Sequence, residues 1–124
     1  MPQSLSCVLV HFVFSTKNRQ RLILPEIEAD LHAFLGGIFR DCGSPALTVG
    51  GAEDHVHILS LLAKTMSQSA MMEEAKTRSS KWIKRKGNAY RQFYWQSGYG
   101  AFSIARSKVA ALRGYIARQK QHHR

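Results

Sequence analysis

Asp54-His55-Val56-His57-Ile58-Leu59 decides how this chain is read. Two histidines flank one valine, and Ile58, Leu59, Leu61, Leu62 and Ala63 carry the apolar character onward. An apolar run of this length after Gly50-Gly51 reads as a buried β-strand. Strand side chains alternate between faces, so His55 and His57 share one face and Val56 takes the other. Two imidazoles side by side at the start of a core strand are what a metal site needs. Two unrelated histidines at a strand entrance would give the same pattern, so the rest of the chain has to choose.

Upstream, residues 5–14 are almost continuously apolar, β-branched or aromatic, which suits a central strand covered on both faces. His11 interrupts that run, either as a satisfied core histidine or as the border of a site. The polar loop Ser15-Thr16-Lys17-Asn18-Arg19-Gln20-Arg21 follows, and Lys17 and Arg19 are candidates to touch phosphates. Pro25 opens a helix whose Ile27, Leu31, Phe34, Leu35 and Ile38 form one apolar face, and Gly43 and Pro45 end it. Gly36-Gly37 inside it costs on the order of 1 kcal/mol per glycine relative to alanine. Close packing against a neighbour would explain that pair. Ala46 to Gly51 is a short strand, and a tight glycine-rich turn then leads to the His55 strand.

Downstream, a second helix is expected from about Ser67 to Lys86. Met71, Met72, Ala75, Ser79, Trp82 and Ile83 share its core face. Lys76 and Lys84 fall on one flank, and Arg78, Lys81 and Arg85 on the other, as candidates to line a DNA groove. The aromatic, glycine-punctuated segment 93–104 is β-like, and its rings either stack bases or pack on the sheet. Ser107 is a plausible N-cap for a last helix running to about Gln121, with Val109, Leu112 and Ile116 as its apolar stripe. Tyr115 and Gln119 lie four apart on the border of that stripe and project together, with Arg118 nearby.

The order β-α-β-β-α-β plus a terminal helix predicts an α+β fold. It is the ferredoxin-like (RRM-like) plan, an antiparallel sheet with helices on one face, and a C-terminal helix carries the tyrosine. In that plan the first and third strands are central neighbours. At 124 residues the chain reads as one domain, 1–124. No secretory signal is read at the N-terminus, and nothing approaches the ~20 apolar residues of a membrane span. Cys7 and Cys42 are expected as free thiols in a reducing cytoplasm.

Charge is the strongest compositional signal, with 18 Lys and Arg against 8 Asp and Glu for a net charge of +10. Residues 1–63 carry a net −2 and residues 64–124 a net +12. Such asymmetry points to a polyanion, nucleic acid before an anionic membrane surface.

Tyr115 links the charge to the histidines. A tyrosine hydroxyl is a weak nucleophile at neutral pH because its pKa is about 10. Beside a cation that polarises a phosphodiester, it can attack phosphorus and form a phosphotyrosine. His55, His57, the Gln119 amide oxygen and a phosphate oxygen would supply ligands for Mg²⁺ or Mn²⁺, although histidine alone favours softer metals.

His55-Val56-His57 resembles the His-hydrophobic-His ("HUH") motif, and Tyr115-Ile116-Ala117-Arg118-Gln119 resembles the nucleophile helix of single-tyrosine HUH transposases. These are the transposases of compact bacterial insertion sequences, with REP-associated tyrosine transposases as relatives. Ser15-Thr16-Lys17, Arg78-Ser79-Ser80 and Trp95 through Gly98-Tyr99 extend the match over about residues 8–121. Glu53 departs from the pattern, where proline is expected before Asp-His-x-His. The resemblance implies Tyr115 as nucleophile on single-stranded DNA, leaving a 5′-phosphotyrosine and a free 3′-OH. It implies His55, His57 and Gln119 as metal ligands, a homodimer, recognition of DNA hairpins and a location with the bacterial nucleoid. Competing readings are a non-catalytic single-stranded nucleic-acid module of the same fold, a domesticated REP-type DNA-processing enzyme, and a metal-dependent nuclease in which water attacks. The third strand offers no aromatic ring for base stacking, which counts against the pure binding module.

Overall fold

A computed structural model describes residues 8–119. In chain order it comprises β1 (Val8–Ser15), α1 (Pro25–Asp41), β2 (Ala46–Ala52), β3 (His55–Leu62), α2 (Gln68–Lys84), β4 (Gly100–Ser103) and α3 (Val109–Ala117). The four strands form one antiparallel sheet in the order β2-β3-β1-β4. This is the expected ferredoxin-like order, with the first and third strands in the middle.

The sheet separates two kinds of surface. Val10, Phe12 and Phe14 of β1 and Val56, Ile58 and Leu62 of β3 point to one face. There they meet Leu31, Leu35, Ile38 and Phe39 of α1 and Met71, Met72, Ala75 and Ile83 of α2. The opposite face carries Leu9, His11, His55, His57 and Leu59. There α3 packs Ile116, Val109 and Leu112 against Leu9, Leu59 and Leu61. Thus α1 and α2 cover one face, and α3 covers part of the other.

Local chemistry explains most element ends. Pro25 opens α1, and Gly43 turns into the left-handed region (φ 70°) just after its end. The Ser67 side chain accepts the Ala70 amide at 3.0 Å and caps α2.

Several expectations change. The strand expected to end at Gly51 runs one residue further, to Ala52, and the turn into β3 is Glu53-Asp54, with no glycine in it. Gly36 has no atom within 4 Å of where a Cβ would stand, and Gly37 meets only the Arg40 guanidinium, so close packing does not explain that pair. Of segment 93–104, only Gly100–Ser103 pairs as a strand, and Trp95 makes a single bridge to Thr16. Ser107 sits in a 3₁₀ turn, and Lys108 occupies the α3 N-cap without a side-chain cap. The last helix, expected to run to about Gln121, ends at Ala117, where Arg118 leaves helical geometry (φ −104°, ψ 18°). The expected start of the first strand at residues 5–7 lies outside the described residues.

Gly50 fixes how near α3 comes to the sheet. A Cβ there would fall 2.5 Å from the Ile116 carbonyl oxygen and 2.7 Å from Ile116 Cγ2, closer than real contacts allow. Arg113 adds a hydrogen bond from Nε to Thr48 Oγ1 at 3.1 Å. Gly50→Val is therefore expected to destabilise the protein by about 1–3 kcal/mol through overpacking. In hydrogen exchange the α3 amides should lose protection while those of β1 and β3 keep theirs. Unchanged α3 protection would show that the helix does not need this approach.

Candidate active site

The site is assembled where β1 and β3 run side by side. Register pairs Val13 with His57 and Ser15 with His55, and β4 sets Phe102 opposite His11. His11, His55 and His57 are 9%, 3% and 7% exposed, an unusual density of imidazole on the buried side of a sheet. Buried polar groups require partners. His11 Nε2 and His57 Nδ1 lie 2.8 Å apart, and the two rings stack with centroids 5.1 Å apart. His55 stands at 79° to His57, with centroids again 5.1 Å apart.

The helix α3 brings the remaining groups. The Tyr115 ring stands perpendicular to His57 at 5.8 Å between centroids, and the residue is 40% exposed. Gln119, fully buried just beyond the helix end, places Oε1 3.1 Å from His55 Nε2. Its amide nitrogen donates to the Tyr115 carbonyl at 3.4 Å, which sets the orientation of the amide. The structure thus brings together the four residues expected at the site. Tyr115 and the histidines meet within a single chain.

Asp54 orders this cluster, and the sequence reading gave it no role of its own. Its Oδ1 accepts from His55 Nδ1 at 2.7 Å, and its Oδ2 accepts from Arg19 Nε at 3.2 Å. Burial pushes the carboxyl upward, but hydrogen bonds and charge from His55 and Arg19 outweigh it and hold Asp54 below its ordinary value. Thr16, also fully buried, ties the same corner together. Its amide donates to the Asp54 carbonyl at 2.9 Å, and its hydroxyl donates to the Gln20 carbonyl. Asn18 and Arg19 adopt left-handed backbone (φ 56° each), which turns the Arg19 side chain toward Asp54. Burial lowers the His11 pKa and so favours its neutral form. The clue to Asp54 was its position directly before His55; the clue to His11 was its isolation in an apolar strand.

Among the described residues no group of three His, Cys, Asp or Glu side chains is placed to hold a metal ion. The candidate donor set is instead two imidazoles and an amide oxygen, and its chemistry can be tested against a cation. With Nδ1–H given to Asp54, His55 Nε2 either carries a second proton or turns a lone pair toward Gln119 Oε1. A cation between the two can take the place of that proton. The donor set, two imidazole nitrogens and one amide oxygen, fits a divalent ion that accepts mixed nitrogen and oxygen ligands.

The basic side chains expected at DNA are distributed unevenly. Lys76 is partly buried and donates to the carbonyls of Gln96 (2.8 Å) and Gly98, and burial lowers its pKa. Arg78 pairs with Asp41 at 3.1 Å and Glu74 at 3.9 Å. Arg19 pairs with Asp54, and the Arg118 guanidinium folds back over Gly114. Lys84 lies 4.0 Å from the ring centre of exposed Tyr94, and Lys17 lies 5.9 Å from it. Lys81 on α2 and Arg85 at its C-cap are exposed, across the sheet from the histidines. On the histidine side, Val13, Ser15, Gln96, Gly98, Tyr99 and Phe102 line an open groove along the β4 edge.

Asp54→Ala removes the acceptor that orients His55 and the partner of Arg19. Binding of Mn²⁺, followed by titration calorimetry, is expected to weaken about 10- to 100-fold. Unaltered affinity would deny Asp54 an orienting role.

The sequence matches the family model for IS200-like transposases over residues 4–119. Among solved structures, the fold is similar to a candidate transposase from Deinococcus radiodurans, with a TM-score of 0.71, 19% identity and 91% of each chain covered. It is also similar to a REP-associated tyrosine transposase solved bound to a REP hairpin. That match has a TM-score of 0.70 and 17% identity and covers 94% of this chain and 68% of the other. No curated protein matches the sequence. At such identities the solved structures establish a shared fold, whereas the family match runs over nearly all of the sequence. The chain belongs to the IS200-like transposase family.

Proposed function

We propose that this protein is a transposase that cuts and rejoins single-stranded DNA through Tyr115, with a divalent cation, Mg²⁺ or Mn²⁺, held by His55, His57 and Gln119. One observation carries the reading. A tyrosine and an amide from the end of the chain meet two imidazoles from its centre, on one partly open patch. Core packing alone has no use for that combination of groups.

The Tyr115 hydroxyl oxygen attacks the phosphorus of a phosphodiester. As the new P–O bond forms, the bond to the 3′ oxygen breaks. The phenolic proton leaves, and the departing 3′ oxygen takes one up. The products are a 5′-phosphotyrosine and a free 3′-OH. Attack by a second 3′-OH reverses the step and joins new ends, so no external energy source is consumed. The cation, when bound, offsets the charge that builds on the phosphate oxygens. His55 and His57 hold their positions through Asp54 and His11, and Gln119 is held by its bond to the Tyr115 carbonyl. The groove along β4 offers the strand a path beside His57, with the rings of Tyr99 and Phe102 available for base stacking.

The whole chain, 1–124, is read as one catalytic domain. Because Tyr115 lies beside the histidines of its own chain, the geometry supports action in cis, and a homodimer is not needed to complete the cluster. A REP hairpin is bound by the similar REP-associated protein, and hairpin-ended single strands are the substrate we assign here. Lys17, Lys81, Lys84 and Arg85 are the side chains we assign to phosphate contacts.

The test is an adduct assay. Labelled single strands from the DNA flanking the gene are incubated with protein and Mn²⁺, then run on a denaturing gel. A labelled protein band is expected, absent with chelator and absent in Tyr115→Phe and His57→Ala. Tyr115→Phe should bind the strand with its affinity changed less than about fivefold, the loss of one hydroxyl contact being worth at most ~1 kcal/mol. Cleavage without an adduct would transfer the attack to water. Binding with neither would leave a non-catalytic module.

A further inference from the structure

The reaction set out above uses His11 only to hold the position of His57. Its hydrogen bond to His57 is buried, 2.8 Å long, and made at a defined atom, Nδ1 of His57. His55 is engaged at the same atom, by Asp54. Both histidines therefore use Nδ1 for support, and His55 Nε2 is the nitrogen that faces Gln119. Of two neutral imidazoles joined in this way, one donates and the other accepts. If His11 donates, neutral His57 carries its own proton on Nε2, and that nitrogen has no lone pair to offer. If His57 donates from Nδ1, its Nε2 lone pair is directed away from His11.

We propose that His11 is a positioning residue: its Nε2 accepts the Nδ1–H of His57 and holds His57 in the tautomer whose Nε2 can bind a cation. The purpose of this bond rests on the reading of His57 as a ligand. The arrangement gives the two histidines unlike supports, a carboxylate for His55 and an imidazole for His57. An imidazole acceptor fixes the proton without adding a negative charge beside His57. It also means that His11 must itself carry its proton on Nδ1.

Nitrogen chemical shifts of the imidazoles in the metal-free protein, at a mildly alkaline pH, read the tautomers directly. In the wild type His57 and His11 are both expected as Nδ1–H forms. In His11→Phe, which keeps a ring but has no acceptor, His57 should move toward the Nε2–H form, and Mn²⁺ affinity should fall about 10- to 100-fold. In His11→Gln the amide oxygen can accept in place of Nε2, so the His57 tautomer and most of the Mn²⁺ affinity should return. A merely space-filling His11 would give the opposite ranking, with phenylalanine the better replacement. Finding wild-type His57 as the Nε2–H form, or finding its tautomer and Mn²⁺ affinity unchanged in His11→Phe, would overturn the proposal. Should His11→Phe fail to fold, the wild-type tautomers and His11→Gln decide it. Wild-type tautomers as expected in a protein that binds no Mn²⁺ would remove the ligand reading of His57 and leave the tautomer control by His11 standing.

Discussion

The seating of α3 on the sheet is the contact on which the site depends. The helix spans only nine residues, too short to be stable alone in water. Its one fully buried residue, Ile116, drops between Leu9 and Leu59, a burial worth about 1.5–3 kcal/mol. Tyr115 and Gln119 flank Ile116 by one and three residues, so wherever Ile116 packs, the tyrosine ring and the amide follow. Gly50 sets the depth of that contact because any side chain there would collide with Ile116. A glycine on β2 thus controls where a hydroxyl on α3 stands relative to the histidines of β3.

The sheet works as a partition. Its α1/α2 face is filled by aromatic and aliphatic side chains and holds the strands in fixed register. The other face can then carry three nearly buried imidazoles and an amide without collapse, since each has a partner in the cluster. Partnering also restricts the protons: an imidazole that donates at one nitrogen keeps a lone pair at the other unless it is charged. Asp54 exerts this control because the two-residue turn of the β2–β3 hairpin aims its carboxylate back at the first residue of β3. The loop after β1 supports that turn through Thr16 and Arg19, which gives the Ser15-Thr16-Lys17 segment a structural reason beyond its charge.

The basic residues separate by what they already hold. Lys76, Arg78 and Arg19 are committed to carbonyls or carboxylates of the protein; Lys76 and Arg19 hold loops beside the site, and Arg78 ties α2 to the end of α1. Exposed ion pairs of this kind contribute little stability, so their main effect is on geometry. The net charge of +10 still acts at long range, drawing a polyanion toward the molecule whichever side chains finally touch it.

The sequence by itself determined the order of elements, the sheet topology that follows from it, and the pairing of His55 with His57. The histidine pairing is a local fact, since alternation of two along a strand follows from backbone geometry. The family resemblance was legible for the same reason, since it lies in short motifs and their order. The helical spacing of four that joined Tyr115 to Gln119 in the sequence stops at Ala117, and it is the burial of Gln119 against His55 that keeps the two together. Only the tertiary structure decided which face of the sheet α3 covers, that the tyrosine meets the histidines of its own chain, and that His11 and Asp54 support them. His11 and His57 are 46 residues apart, and their contact exists because β1 and β3 pair in one register out of several. The role of Gly50 was hidden likewise, because a glycine that ends a strand and one that admits a helix read alike until the helix is in place. Such contacts come from the packing of distant segments, which no periodicity along the chain encodes.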